Sequence, residues 1–122
     1  MSPLTWKETA RDLASQLGAA ALVVATDKLG TLNHTLLTLE ALNHSDIPAL
    51  GVVFSAPETP DDSTGKNLET LRKFHPGIGA MALPRVRNWE KAATKVEEVA
   101  RWIVPWRIWL CLRLGPPGSR RN

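Results

Sequence analysis

"AALVVATDKLGTLNHTLLTLEAL", Ala20 to Leu42, holds two different periods separated by a polar knot. Ala20–Ala25 is a run of small and apolar residues without polar alternation, the pattern of a strand buried on both faces. In Thr31–Asn43, Leu32, Leu36, Leu39 and Leu42 recur at spacings of four, three and three, which gives a helix one apolar face. Gly30 lets the chain turn tightly between them, and Thr31 or Asn33 then stands at the helix start as its cap. A cap alone needs one polar side chain. Gly, Thr, Asn, His and Thr together suggest that the turn also holds something.

Moving outward, Leu4–Gly18 reads as a helix, with Thr5 and Glu8 as a capping box, Leu13 and Leu17 four apart, and Gly18 as the stop. Ala49–Ser55 and Ile78–Pro84 are two further apolar strands. Ala56–Gly65 is a loop, Lys66–Phe74 a short helix, and Asn88–Ile103 a helix capped by Asn88. The order αβαβαβα predicts an α/β fold of about three parallel strands with right-handed crossovers and flanking helices. Residues 1–103 form this domain. Residues 104–122, "VPWRIWLCLRLGPPGSRRN", differ in composition and read as a Trp- and Arg-rich tail of unknown origin. Three strands are few for a doubly wound sheet, so the chain looks like part of a larger fold.

The net charge of +3 does not indicate nucleic-acid binding. The tail carries four Arg and no acid, which leaves the other 103 residues with 11 basic and 12 acidic side chains. The one cysteine, Cys111, excludes an internal disulfide, and the first residues show no signal-peptide pattern, so the cytoplasm is the expected location. The longest apolar stretch, Trp102–Leu114, is interrupted by Pro and two Arg and is too short to span a membrane.

In an open α/β sheet, ligands bind beyond the carboxyl ends of the strands. Three loops qualify: Thr26–Asn33, Ser55–Gly65 and Pro84–Asn88. The first opens a helix, whose free N–H groups and positive end suit a carboxylate or phosphate; read from these residues alone, the simpler alternative is that Thr31 and Asn33 only cap their own helix. "STGKN", Ser63–Asn67, imitates the end of a phosphate-binding P-loop. It has Pro60 where that motif needs its first Gly and Asn67 where it needs Ser or Thr, so it reads as a turn entering a helix. His34, His44 and His75 lie on separate elements without metal-ligand spacing and read as structural. Asp61–Asp62 reads as a solvated turn.

The segment Leu29–Leu42 resembles the L-G-x-[IL]-N-H-x-x-L-T-x-[EQ] region of ATP-dependent dethiobiotin synthetases. The flanks, Ser2–Ala25, Ile47–Pro57 and Asn67–Val86, are similar to the same family in the same order, so the resemblance covers about Ser2 to Ala100. It implies part of a P-loop NTPase-like three-layer fold, a homodimer, and closure of the ureido ring of dethiobiotin from 7,8-diaminononanoate, CO₂ and ATP with Mg²⁺. It assigns Gly30, Thr31, Leu32 and Asn33 to the carboxylate tail of the substrate. It assigns Ser55, Ala56, Pro84, Arg85, Val86 and Glu90 to the nucleotide, with the main chain of Pro84–Val86 lining the base and Glu90 at the ribose.

Ser55 stands where most members carry Asn. A hydroxyl cannot pair bidentately with adenine as an amide does, which implies relaxed base selection. The family's phosphate-binding loop, catalytic Lys and magnesium ligands lie upstream of the matched region. The resemblance therefore implies a C-terminal part that does not transfer a phosphoryl group by itself. An amidotransferase-like ligase of cobalamin synthesis fits the L-N-H-T stretch less well. The rival reading from another class is a non-catalytic α/β module that binds a partner through its open sheet edge.

Overall fold

A computed structural model of the chain describes residues 3–86, 93–94 and 97–102. The chain divides into two compact units, Met1–Arg85 and Val86–Asn122. In the first, the order is α1 (Ala10–Gln16), β1 (Ala21–Thr26), α2 (Thr31–Asn43), β2 (Ala49–Ser55), α3 (Asn67–Phe74) and β3 (Ala80–Leu83). The strands form one parallel sheet in the order β1-β2-β3, so the central strand is β2. The expected α/β architecture, three parallel strands flanked by helices, is the observed one. In the second unit, residues 93–94 and 97–102 are helical, within the expected helix Asn88–Ile103. The rest of that helix with its cap Asn88, the boundary at 103/104 and the tail lie outside the described residues.

The register explains the core. Val23 and Ala25 of β1 lie level with Val52 and Phe54 of β2, and Val52 lies level with Ala80 of β3. These alternate residues share one sheet face. Leu32, Leu36 and Leu39 of α2 and Leu68 and Leu71 of α3 pack onto it. Val52, Phe54 and Leu71 are fully buried. A side chain of the size of Leu71 or Phe54 contributes about 1.5–3 kcal/mol by leaving water. Arg72 adds a polar tie, its guanidinium donating to the Ala80 carbonyl at 2.9 Å.

Three features of the fold differ from those expected of the sequence. First, β1 is not buried on both faces: it is an edge strand, and Val24, on the face away from α2, is 64% exposed. Its apolar run marks residues that fit a sheet, not residues that are all covered.

Second, the first helix begins at Ala10, not near Leu4. Its capping box is Thr9 with Asp12: Thr9 Oγ1 accepts from the Asp12 N–H at 3.4 Å, and Asp12 Oδ2 accepts from the Thr9 N–H at 2.7 Å. Thr5 serves an earlier turn instead, accepting from the N–H groups of Lys7 and Glu8, while Pro3 and Thr9 form a bridge that folds this segment back. Leu13 and Leu17 remain 45% and 71% exposed, so α1 buries no apolar stripe.

Third, neither Thr31 nor Asn33 caps α2. Gly30 occupies the N-cap with φ 84° and ψ −12°. Among the described residues, no helix is long and apolar enough to cross a membrane.

Candidate functional site

Thr26, Ser55 and Leu83 are paired across the sheet, so all three strands end at one level. The loops that leave them, Asp27–Gly30, Ala56–Lys66 and the segment from Pro84, therefore cluster at the carboxyl edge where such sheets place ligands.

The start of α2 is built around Gly30. Its left-handed backbone is a conformation that a Cβ disfavours, and its position meets nothing within 4 Å. From there the Thr31 N–H donates to the Lys28 carbonyl at 3.2 Å and the His34 N–H to the Gly30 carbonyl at 3.4 Å. The N–H groups of Leu32 and Asn33 have no acceptor among the described residues. Two free donors at the positive end of a helix favour an anion by about 0.3–1 kcal/mol from the dipole alone.

Of the four residues expected here, Thr31 is buried with its N–H already committed, and Leu32 packs against the core and offers only its main-chain N–H. Asn33 is exposed and its amide is unpaired among the described residues. Leu29 and Leu37, beside this start, are 80% and 55% exposed.

A polar network that the sequence reading missed holds this turn from the neighbouring loop. Asp27 is 4% exposed. Its Oδ2 accepts from the Gly65 N–H at 2.8 Å, and its Oδ1 from the Asn67 side-chain amide at 2.6 Å. The Thr64 hydroxyl donates to the Asp27 carbonyl at 3.0 Å, and the Asp27 N–H donates to the Ser55 carbonyl at 2.8 Å. The buried Asn67 amide also donates to the Ser63 carbonyl at 3.2 Å. Gly65 takes φ 86°, which turns its N–H toward Asp27.

Asp61 corrects the expectation of a merely solvated turn. Its Oδ1 accepts from the Ser63 hydroxyl at 2.6 Å, the Ser63 N–H at 2.9 Å and the Thr64 N–H at 3.2 Å. Its Oδ2 reaches the other loop and accepts from the Leu29 N–H at 2.8 Å. These donors, the Ser63 hydroxyl foremost and then the Leu29 N–H, hold its pKa down to about 2. "STGKN" is a turn entering α3, as the sequence reading expected, and it is also the segment that grips Asp27.

At the expected nucleotide loops, Ser55 ends β2 and its hydroxyl is unpaired among the described residues. The Ala56 N–H is already committed to the Leu83 carbonyl at 2.9 Å, which leaves the Ala56 carbonyl for a ligand. Pro84 and Arg85 are exposed where the chain leaves β3, and Arg85 pairs with Glu58 of the β2–α3 loop at 3.1 Å. Val86 is exposed and belongs to the second unit; Glu90 lies outside the described residues.

A magnesium ion needs carboxylate oxygens turned toward it. Both oxygens of Asp27 and of Asp61 are taken by N–H or hydroxyl donors, and no three His, Cys, Asp or Glu side chains converge among the described residues. These residues do not fit a magnesium site. His44 and His75 sit at the C-caps of α2 and α3, and the His44 ring lies 2.9 Å from the Glu40 carbonyl. His34 is exposed in the first turn of α2, and its ring makes no hydrogen bond among the described residues.

A family model described as an AAA domain matches residues 1–93. Among curated proteins, the chain is 50% identical over 60 residues to an ATP-dependent dethiobiotin synthetase of Anaeromyxobacter dehalogenans, covering 49% of this chain and 27% of that protein. The enzyme of the same name from Mycobacteroides abscessus is 54% identical over 65 residues, 52% of this chain and 29% of its own length. That from Mycolicibacterium vanbaalenii is 46% identical over 74 residues, 60% and 33% respectively. The chain thus spans about a third or less of these relatives.

Proposed function

We propose, for a chain that belongs to the AAA domain family over residues 1–93, that it furnishes the acid-tail pocket and part of the base pocket of an ATP-dependent dethiobiotin synthetase. The start of α2 is the observation that carries this reading. Gly30 in a left-handed conformation leaves the Leu32 and Asn33 N–H groups free, with the exposed Asn33 amide beside them. That donor set suits a carboxylate and is too small to enclose a triphosphate.

The reaction proposed for the whole assembly starts from the carbamate that CO₂ forms on one amine of 7,8-diaminononanoate. The carbamate oxygen takes the γ-phosphoryl group of ATP, releasing ADP. The second amine then attacks the carbonyl carbon, and phosphate leaves as the ureido ring closes. The role of these 122 residues is positioning. Leu32 N–H, Asn33 N–H and the Asn33 amide hold the far carboxylate, which fixes where along its length the diamine can react. The Ser55 hydroxyl and the main chain of Ala56, Pro84 and Arg85 meet the base.

The sequence holds no G-x-x-x-x-G-K-[ST] motif, and both oxygens of Asp27 and of Asp61 are committed to N–H or hydroxyl donors. On this reading the chain binds but does not transfer a phosphoryl group by itself. The exposed Leu29 and Leu37 beside the pocket supply an apolar surface for a second copy of the chain, so that each tail pocket adjoins its partner.

The test is isothermal titration of the chain with 7,8-diaminononanoate and with the same diamine lacking its carboxyl group. The acid is expected to bind at least about tenfold more tightly, the discrimination that pairing one charged group supports. Equal affinity, or no binding of the acid, refutes the pocket. A second reading, a non-catalytic module that docks a partner on the β1 edge, is favoured by the place of β1 at the end of the sheet, unpaired on its outer side among the described residues. It predicts no response to either diamine.

A further inference from the structure

We propose that Asp61 is a positioning residue for the acid-tail pocket, holding the Leu29–Gly30 turn from the neighbouring β2–α3 loop. The inference rests on the reading of the α2 start as a carboxylate site, and it adds what sets the orientation of that start.

The geometry is specific. Asp61 lies 32 residues from Leu29, yet its Oδ2 accepts the Leu29 N–H at 2.8 Å. Leu29 immediately precedes Gly30, the residue whose left-handed backbone aims the first turn of α2. The Leu29 side chain is 80% exposed, so packing does not hold this turn. The other carboxylate oxygen is fixed by Ser63 and Thr64. Asp61 thus bridges two loops through two different oxygens. A second tie, Asp27 to Gly65 and Asn67, fixes the base of the same loop pair but stops short of Leu29.

Asp61 touches no ligand in this scheme. Its carboxylate acts through the backbone, by its bond to the Leu29 N–H. The same carboxylate organises the loop that follows the base-facing Ser55 and Ala56, so it joins the two pockets mechanically.

Asp61→Asn separates the bridge from the local turn. One carbonyl oxygen remains for the Ser63 hydroxyl and the N–H groups of Ser63 and Thr64, as in an ordinary Asx turn, and the amide nitrogen then faces the Leu29 N–H donor to donor. Ser63→Ala is the control, since it removes a donor within the turn and leaves the Leu29 bond.

Two readouts are needed: amide hydrogen exchange at Leu29 in the ligand-free chain, and affinity for 7,8-diaminononanoate. The expected result is a slowed Leu29 amide in the wild type, fast exchange in D61N, and a loss of affinity of about tenfold in D61N, with S63A within about twofold.

An unprotected Leu29 amide in the wild type overturns the bridge without reference to any variant. A D61N protein that binds the diamine as tightly as the wild type overturns the positioning role. A wild type that binds no diamine, while D61N still frees the Leu29 amide, overturns the pocket reading and leaves the bridge with nothing to position. That pattern differs from failure of the bridge alone.

Discussion

Replacing Gly30 with Ala tests the local geometry on which the pocket depends. Gly30 sits at φ 84°, ψ −12°, a left-handed conformation that costs an L-residue with a Cβ about 1–2 kcal/mol. No steric clash adds to this, because the new methyl meets nothing within 4 Å. Working the other way, Ala restricts the unfolded chain more than Gly does, which offsets about 0.4–1 kcal/mol. The net expectation is a loss of about 0–1.6 kcal/mol, centred near 0.8. Urea unfolding at neutral pH reads it as a lower midpoint with an unchanged slope, since the buried surface is the same. Gly30→Asn should recover at least half of the loss, because Asn tolerates the left-handed region. A Gly30→Ala protein more stable than the wild type would refute the left-handed N-cap. A loss above about 3 kcal/mol would mean that the methyl meets packed atoms, contrary to the open space found there.

Thr35 is 2% exposed, and its hydroxyl has no hydrogen-bond partner among the described residues. Thr35→Val keeps the shape and removes the unpaired group, so thermal unfolding should show no loss, or a gain of about 1 kcal/mol. A clear destabilisation would reveal a partner for that hydroxyl. Leu71 is fully buried between α3 and the sheet, and Leu71→Ala should cost about 2–5 kcal/mol in the same assay. A cost below 1 kcal/mol would contradict the packing. For Asp61, the folded pKa of about 2 lies below the ordinary 3.8, so the carboxylate stabilises the fold fully above the ordinary value. That contribution fades as pH falls from 3.8 toward 2. Over this window the urea midpoint should fall more steeply in the wild type than in D61N, and parallel profiles would contradict the role of Asp61.

The parts of the fold legible in the sequence were those set by nearest neighbours in the chain. A run such as Ala20–Ala25 fits a sheet wherever it lies, and the four-three-three spacing of Leu32, Leu36, Leu39 and Leu42 closes an apolar face within one helix. Gly30 was legible as a turn, but its place as the N-cap was not, because Thr31 is the commoner capping type. At the first helix, two Thr-x-x-acid pairs competed, and Thr9–Asp12 prevailed because the bridge between Pro3 and Thr9 turns the Thr5 segment away.

The network around Asp27 and Asp61 left almost no local sign. Asp27 and Asn67 are 40 residues apart and meet only because β1 and β2 end level, at Thr26 and Ser55. The available signal was compositional: Asp, Ser, Thr, Gly and Asn crowd into Asp61–Asn67, more polar groups than one turn needs. What brings the two loops together is the strand register, which no local stretch of sequence encodes.

The measurement that tests the central claim most directly is a backbone amide NMR titration of the chain with 7,8-diaminononanoate. The account predicts saturable shifts largest at the Leu32 and Asn33 amides, with a response at the Asn33 side chain and little change along β2. Shifts centred on β1 or spread over the surface, or none at millimolar ligand, would contradict it.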